Sequence, residues 1–235
     1  MIDSPWIVAH RGDTARERDN TLAAFRAAIL AGADMIELDV RRLADEVLVV
    51  FHDDKIGDTT VADIDYSQLH ELAIEAGLEI PTFDQALALC AGRIRLVVEL
   101  KNACAEEVVQ AVCNARLRVD EYVLASFDAS VLLQLRRFHP GVRTALLTED
   151  VGYEKARDLL DEVAANLWAL DNPILDDAML ARCTEDRIAV LPWTVNDDTD
   201  IRRFLSAETV AGIITDRTQD ALNIRRMLRG IGSAS

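Results

Sequence analysis

Side chains that can bind a metal ion or move a proton stand at the ends of apolar runs in this sequence. His10, the pair Glu37 and Asp39, His52, and Glu99 each occupy such an end. Carboxylate oxygens are preferred ligands of hard divalent cations, and an imidazole ordinarily changes charge near neutral pH. Together these residue types predict a metal centre beside a general acid and a general base.

The spacing of the charged residues places them on shared faces. Residues i and i+2 of a strand point to the same side, so Glu37 and Asp39 project together, as do Glu99 and Lys101. If the two strands are neighbours, three carboxylates converge and would repel one another without a cation. Oxygen-only ligands favour Mg²⁺ or Ca²⁺, and Mn²⁺ accepts them too. Arg11 and Lys101 add the positive charge that an anionic phosphate requires.

The elements that must position these residues alternate between short extended runs and helical patterns. The sequence predicts eight principal strands, at Trp6–His10, Asp34–Val40, Ile94–Leu100, Tyr122–Phe127, Arg143–Leu147, Leu167–Leu170, Ile188–Thr194 and Val210–Thr215. This alternation predicts an α/β fold, a single (β/α)8 TIM barrel whose reactive groups gather at the C-terminal strand ends. A short extra extended segment, Val47–His52, follows the second strand.

Composition narrows the classes of function. Half of the 235 residues are hydrophobic and no stretch has a linker's composition, so one domain over residues 1–235 is predicted. The net charge of −16 disfavours nucleic acid and anionic membranes as partners. No apolar stretch approaches the roughly 20 residues of a membrane helix, so no stable membrane insertion is expected.

The cysteines and the N-terminus indicate a cytoplasmic location. The first residues carry no secretory pattern. The four cysteines form no C-x-x-C pair; these cysteines are Cys90, Cys104, Cys113 and Cys183. They are interpreted as small apolar residues in a reducing compartment. An apolar outer face of the barrel could support a homodimer, but the pattern does not locate one.

A set of ordered motifs runs from residue 7 to about residue 221. They are His10-Arg11-Gly12, Asp19-Asn20-Thr21, Glu37-Leu38-Asp39, His52-Asp53, Ile80-Pro81-Thr82-Phe83, Glu99-Leu100-Lys101, Ser126-Phe127, Trp193-Thr194-Val195-Asn196 and Gly212-Ile213-Ile214-Thr215-Asp216. In this order the motifs resemble those of the glycerophosphodiester phosphodiesterase family. The resemblance implies a barrel that hydrolyses glycerophosphodiesters to sn-glycerol 3-phosphate and an alcohol.

The resemblance also implies a role for each matching residue. His10 and His52 would be the general acid and base, and the metal ligands would be Glu37, Asp39 and Glu99. The phosphate would be held by Arg11 and Lys101, and Trp193 would line the substrate pocket. In the family's usual reaction the glycerol 2-hydroxyl attacks phosphorus, and water then opens the resulting cyclic phosphate.

Departures from the family pattern concern three stretches. The family's glutamate before Asn-Thr is Asp19 here, one methylene shorter, and the preceding proline is Arg18. Glu46 stands where the family has a turn glycine, so either it adopts a conformation that glycine takes more readily or the turn differs. Residues 53–80, 28 in all, form a short insertion, which predicts an open and permissive site.

Two alternative functions remain open on the sequence. A lysophospholipase D-like enzyme on the same barrel would need an apolar channel, for which residues 54–80 offer apolar side chains that equally fit a small packed helix. A barrel that binds a phosphorylated ligand without turnover is the other alternative, motivated by Asp19 and Glu46. Three further residues are interpreted as structural, Trp6 and Trp168 in the core and Asp197 as a helix cap. For Asp216 a capping role is slightly favoured over a role in the site.

Overall fold

Parallel strands form the centre of the fold, and helices cover them from outside. The computed structural model describes residues 4–102 and 105–232, so Cys104 and the first three residues lie outside the described part. The strands are β1 (Trp6–His10), β2 (Met35–Arg42), β3 (Leu48–Val50), β4 (Lys55–Ile56), β5 (Thr59–Thr60), β6 (Arg95–Leu100), β7 (Tyr122–Ser126), β8 (Arg143–Thr148), β9 (Leu167–Leu170) and β10 (Gly212–Thr215). The helices are α1 (Leu22–Ala31), α2 (Tyr66–Ala76), α3 (Phe83–Cys90), α4 (Ala105–Asn114), α5 (Ala129–Phe138), α6 (Tyr153–Val163), α7 (Asp177–Glu185), α8 (Asp198–Leu205) and α9 (Thr218–Gly232).

The sheet order is β10-β1-β2-β6-β7-β8-β9, with all neighbours along this path parallel. The predicted seventh strand, Ile188–Thr194, is not a regular strand, because Pro192 has no N–H to donate. It nevertheless bonds to both flanking strands. On one side Trp193 N donates to Leu170 O at 2.9 Å, and on the other Ile214 N donates to Pro192 O at 3.0 Å. This segment therefore closes the ring, and the predicted TIM-barrel fold is confirmed.

Side-chain alternation separates the two faces of each strand. On β2, Ile36 and Leu38 pack outward against the helices, whereas Met35 joins the cluster inside the barrel. On β6, Val97 is likewise an inward residue. Because the period of a strand is two, Glu37 and Asp39 continue the inward row of β2 beyond Met35. The apolar interior thus ends in a layer of ionisable groups at the C-terminal ends of the strands.

The segment after β2 doubles back to the mouth of the barrel. β3 pairs antiparallel with β2, with Val40 opposite Val50. The turn between them holds Glu46 at φ 69°, the left-handed conformation predicted for this position, and Arg42 pairs with Glu46 at 2.8 Å. Arg41 then donates to His52 O at 3.0 and 2.6 Å, which fixes the backbone of His52 beside the end of β2.

Residues 54–80 form a small packed unit of their own. A hairpin (β4 and β5) and α2 enclose a buried apolar cluster that includes Ile56, Val61, Ile64 and Leu69. These side chains fill a core and line no channel within the described residues. Of the two interpretations left open by the sequence, the structure therefore agrees with the packed helix.

Candidate active site

Three buried carboxylates converge at the mouth of the barrel. Glu37, Asp39 and Glu99 are 5%, 1% and 8% exposed, and each offers an oxygen within 4.8 Å of the others. β2 and β6 bring them together, since Asp39 lies directly opposite Glu99 in the parallel register. Asp39 Oδ1 and Glu99 Oε1 both face the Lys101 ammonium. Three buried carboxylates that converge in this way fit a hard divalent cation, so these residues could hold one.

Two cations lie against this cluster. Lys101 Nζ is 2.6 Å from Glu99 Oε1 and 3.2 Å from Asp39 Oδ1. Arg11 Nε is 3.2 Å from Asp39 Oδ2, and the Arg11 backbone N donates to Glu37 Oε2 at 3.1 Å. Burial would lower the pKa of Lys101, but Asp39 and Glu99 outweigh burial and raise it, so the ammonium stays charged.

The pKa values of the three carboxylates shift in different directions because the two cations do not lie equally close to all of them. Burial would raise the pKa of Asp39, yet Lys101 and Arg11 outweigh it and lower that pKa. The pKa of Glu37 is raised well above its ordinary value, first by burial and then by repulsion from Asp39 and Glu99. Burial followed by Asp39 also raises the pKa of Glu99. A cluster in which two carboxylates resist ionisation is one that added positive charge would stabilise.

The loop after β1 fixes the geometry of Asp39. Asn20, at φ 55°, donates from Nδ2 to Asp39 Oδ2 at 2.8 Å, and Asp39 N donates back to Asn20 Oδ1 at 3.4 Å. Asp19 does not reach the carboxylates but lies 3.5 Å from Arg11. The loop can approach α1 only because Gly12 has no side chain: a Cβ there would lie 2.6 Å from Ala24 Cβ.

Each histidine is paired with a carboxylate through Nδ1. His10 Nδ1 lies 2.8 Å from Asp216 Oδ1, and His52 Nδ1 lies 2.8 Å from Asp53 Oδ1. The Nε2 atom of His10 lies 4.0 Å from Glu37 Oε2, toward the carboxylate cluster. When Nδ1 donates to a carboxylate, the neutral imidazole presents an unprotonated Nε2, which can accept a proton from a substrate.

A cavity of about 380 Å³ joins these groups with an apolar wall. Seven of the eight predicted site residues line it, and Asp39 lies beneath them; the seven are His10, Arg11, Glu37, His52, Glu99, Lys101 and Trp193. Trp193 stands on the opposite side from the carboxylates and meets Phe127 edge-on, with ring centroids 5.9 Å apart and planes at 88°. The volume lies in the range of small-molecule sites.

Several residues of the site were missed or misjudged from the sequence. The Asp216 carboxylate accepts hydrogen bonds from His10, Thr14 and Asn196, so the favoured capping role is wrong. The available signal was topological: β10 is the neighbour of β1, so the residue after β10 lies beside His10. The structural interpretations of three other residues agree with the structure, since Trp6 and Trp168 are buried and Asp197 caps α8.

Comparison with known proteins identifies the family. Residues 10–220 match the Glycerophosphoryl diester phosphodiesterase family. The chain belongs to this family. The predicted resemblance and the predicted class of enzyme, a phosphoric diester hydrolase acting on glycerophosphodiesters, are thereby confirmed. Among the described residues of this phosphodiesterase, no helix is both long and apolar enough to cross a bilayer.

Relatives of this phosphodiesterase cover nearly its whole length. The glycerophosphodiester phosphodiesterase of Caldanaerobacter subterraneus subsp. tengcongensis is 29% identical over 239 residues, covering 94% of this chain and 97% of the relative. A crystal structure of a glycerophosphodiester phosphodiesterase from Parabacteroides distasonis matches with a TM-score of 0.85 at 24% identity, covering 97% and 100%. An Oleispira antarctica phosphodiesterase in complex with the product sn-glycerol-3-phosphate matches with a TM-score of 0.81 at 21% identity, covering 94% and 96%.

Proposed function

We propose that this enzyme hydrolyses glycerophosphodiesters to sn-glycerol 3-phosphate and an alcohol, with a divalent metal ion and a pair of histidines. The observation that carries the proposal is one cavity lined by two cations, two histidines paired with carboxylates, and two of the three convergent buried carboxylates, with Asp39 as the third. The product named for the Oleispira antarctica relative is consistent with this substrate class.

Glu37, Asp39 and Glu99 would hold the metal ion, Mg²⁺ or Ca²⁺, with Mn²⁺ also suited to oxygen ligands. When bound, the ion supplies positive charge that stabilises the transferring phosphoryl group. Arg11 and Lys101 contribute further positive charge at the same place and hold the phosphate oxygens. Because both cations are already anchored to carboxylates, they need little reorganisation as charge develops.

His10 and His52 would exchange protons with the glycerol 2-hydroxyl and the oxygen of the leaving alcohol. One imidazole accepts the proton of the attacking glycerol 2-hydroxyl at Nε2, and the other donates a proton to the departing alcohol. Asp216 and Asp53 hold the two rings through Nδ1 and stabilise each imidazolium when it forms. Water then opens the cyclic phosphate with the roles of the histidines reversed.

The test is release of glycerol 3-phosphate from glycerophosphocholine and glycerophosphoethanolamine, with a chelator and with added Mg²⁺, Mn²⁺ or Ca²⁺. We expect release that depends on a metal ion. His10→Ala and His52→Ala should each lower the rate by roughly 10²–10⁴-fold. His70→Ala is the matched control, because this exposed histidine on α2 only stacks on Tyr66.

The outcomes separate the proposal from its alternatives. Lysophosphatidylcholine serves as a second substrate, and faster turnover of it would favour the lysophospholipase D-like enzyme. Binding of sn-glycerol 3-phosphate without turnover of either substrate would indicate the non-catalytic barrel. Near-normal rates in both histidine variants would refute the acid–base roles while leaving the reaction class intact.

A further inference from the structure

The cavity has two chemically different halves, set by the order of the strands around the barrel. The charged residues stand on β1, β2, β6 and the segment after β3. Across the ring, β7, β8, β9, the residues just after them and the 188–195 segment supply what we call the far wall, which consists of Ala125, Phe127, Leu147, Glu149, Ala169 and Trp193. Since β8 is four places from β1 in a ring of eight, Glu149 lies across the cavity from His10.

The far wall is apolar except for the Glu149 carboxylate and the indole N–H of Trp193, which is buried and has no hydrogen-bond partner among the described residues. Of the cavity-lining residues on β7, β8 and β9 and in the 188–195 segment, Glu149 alone is charged within the described part of the chain. It is exposed, and it makes no hydrogen bond or ion pair with residues 4–102 or 105–232. Most charged groups near the metal-binding cluster are paired, so an unpaired carboxylate on an apolar wall points to a ligand that brings its own cation.

The aromatic side chains of the far wall are also partly exposed. Phe127 is 45% exposed although it lines the cavity, and Trp193 is only half-buried. Lys101 Nζ lies over the Phe127 ring at 6.0 Å, but that ammonium is already paired with Glu99 and Asp39. Apolar surface beside a carboxylate suits an alkylammonium group, whose methylene or methyl groups contact the rings while its charge faces the carboxylate.

The two arms of a glycerophosphodiester differ in their fit to this wall. The glycerol 2-hydroxyl and the oxygen of the leaving alcohol must stay within reach of His10 and His52, so the phosphate lies over the charged half and one arm extends across the cavity. A glycerol arm carries two hydroxyls, and the far wall offers them only the Glu149 carboxylate and the Trp193 indole N–H among the described residues. Hydroxyls left without partners against apolar side chains are costly. A choline arm has no hydrogen-bond donor to satisfy, and the ammonium of an ethanolamine arm can face the Glu149 carboxylate.

We propose that the far wall binds the leaving alcohol and selects a cationic aminoalcohol, with Glu149 as the specificity-determining residue. The inference rests on the proposed hydrolysis of glycerophosphodiesters and adds the class of head group. The neutral leaving groups of glycerophosphoglycerol and glycerophosphoinositol form no ion pair with Glu149. The proposal therefore concerns the relative rates of substrates that share one phosphoryl centre.

The experiment compares kcat/KM for glycerophosphocholine, glycerophosphoethanolamine and glycerophosphoglycerol. We expect the wild-type enzyme to prefer the two cationic substrates by roughly fivefold, the upper range for an exposed ion pair. Glu149→Gln should bring the ratio close to one by lowering kcat/KM for the cationic substrates only. Asp150→Asn is the matched control, because it removes a neighbouring charge that does not line the cavity and should leave the ratio unchanged.

Ionic strength gives a measurement that needs no variant. Raising the salt concentration from about 0.05 M to about 0.5 M should shrink the wild-type preference, since screening weakens exposed charge pairs. Equal wild-type rates for cationic and neutral substrates would overturn the selection while leaving the hydrolysis in place. A uniform loss for all three substrates in Glu149→Gln would overturn it too, because the carboxylate would then contact the shared glycerol phosphate. No turnover of any substrate would overturn both proposals together.

Discussion

Replacing Asp216 by asparagine tests whether the last strand sets the protonation state of His10. Asn196 Oδ1 accepts hydrogen bonds from the Thr215 hydroxyl at 3.1 Å and from the Asp216 backbone N at 3.0 Å. These bonds orient the Asn196 amide so that its Nδ2 donates to Asp216 Oδ2 at 2.7 Å. An asparagine at 216 must therefore turn its oxygen toward Asn196 and its NH₂ toward His10. His10 Nδ1 then becomes an acceptor, which moves the ring proton to Nε2.

The size of the effect follows from the bond that is lost. A hydrogen bond to a charged group is worth about 1.5–3 kcal/mol, which corresponds to a fall in rate of roughly 10- to 150-fold if it sets the ring's orientation alone. Full inversion of the tautomer would lower the rate by up to about 10⁴-fold, as in carboxylate–histidine pairs of serine proteases. Hydrogen bonds from His10 and Asn196 outweigh burial and lower the pKa of Asp216, so its charge is present throughout the neutral range.

The assay combines steady-state kinetics with nitrogen NMR of His10. We expect kcat to fall in Asp216→Asn, whereas the rise in thermal midpoint on adding Mn²⁺ should stay near that of the wild type. The His10 signals should report a proton on Nε2. Asp220→Asn is the matched control, because Asp220 is an exposed aspartate of α9 that pairs with Arg217 at 2.8 Å. A rate within about threefold of wild type, or an unchanged tautomer, would refute the reasoning.

Two further perturbations address the metal-binding cluster and the loop that carries Arg11. In chelator, Glu37→Gln should raise the thermal midpoint by a few degrees, about 1 kcal/mol, and abolish the gain on adding Mg²⁺ or Mn²⁺. Because the pKa of Glu37 is raised in the folded state, the metal-free wild type should lose stability as pH rises through that pKa, and the variant should not. A thermal midpoint of the variant below that of the wild type would contradict the expected stabilisation. Gly12→Ala should cost about 2 kcal/mol in urea unfolding, from a φ of 96° and a 2.6 Å approach to Ala24. Gly32→Ala has a similar φ of 83° but meets no described atom within 4 Å, so equal costs in the two variants would show that the clash is not the cause.

The part of the site that could be predicted depends on strand periodicity. Alternation on β2 and β6 is local, so the shared faces of Glu37 with Asp39 and of Glu99 with Lys101 follow from the sequence alone. The three carboxylates converge if the two strands are neighbours, which consecutive parallel strands of a barrel usually are. The pairing of Asp39 with Glu99 agrees with this expectation.

The part that could not be predicted depends on long-range closure and on special backbone positions. An aspartate just before a helix has the same local pattern whether it caps the helix or enters a site, so Asp216 was ambiguous until β10 was placed beside β1. The role of Asn20 depends on its left-handed conformation, which a single sequence does not reveal. Pro192 explains why the seventh strand is irregular. The hydrogen bonds that nevertheless join this segment to β9 and β10 connect residues far apart in sequence.

The charges of the site suggest why a metal ion and a phosphodiester belong together here. Three carboxylates and two cations, Arg11 and Lys101, leave the fully ionised cluster with one negative charge. The side chains of the two cations lie against Asp39 and Glu99. Glu37 instead accepts a hydrogen bond from the Arg11 backbone N–H and lies 4.0 Å from the His10 ring, and its pKa is raised well above its ordinary value. A divalent ion would let Glu37 ionise and would turn the net charge to plus one. A phosphodiester carries one negative charge, so this cluster with its metal ion and substrate sums to zero, whereas either ligand alone leaves the cluster with a net charge.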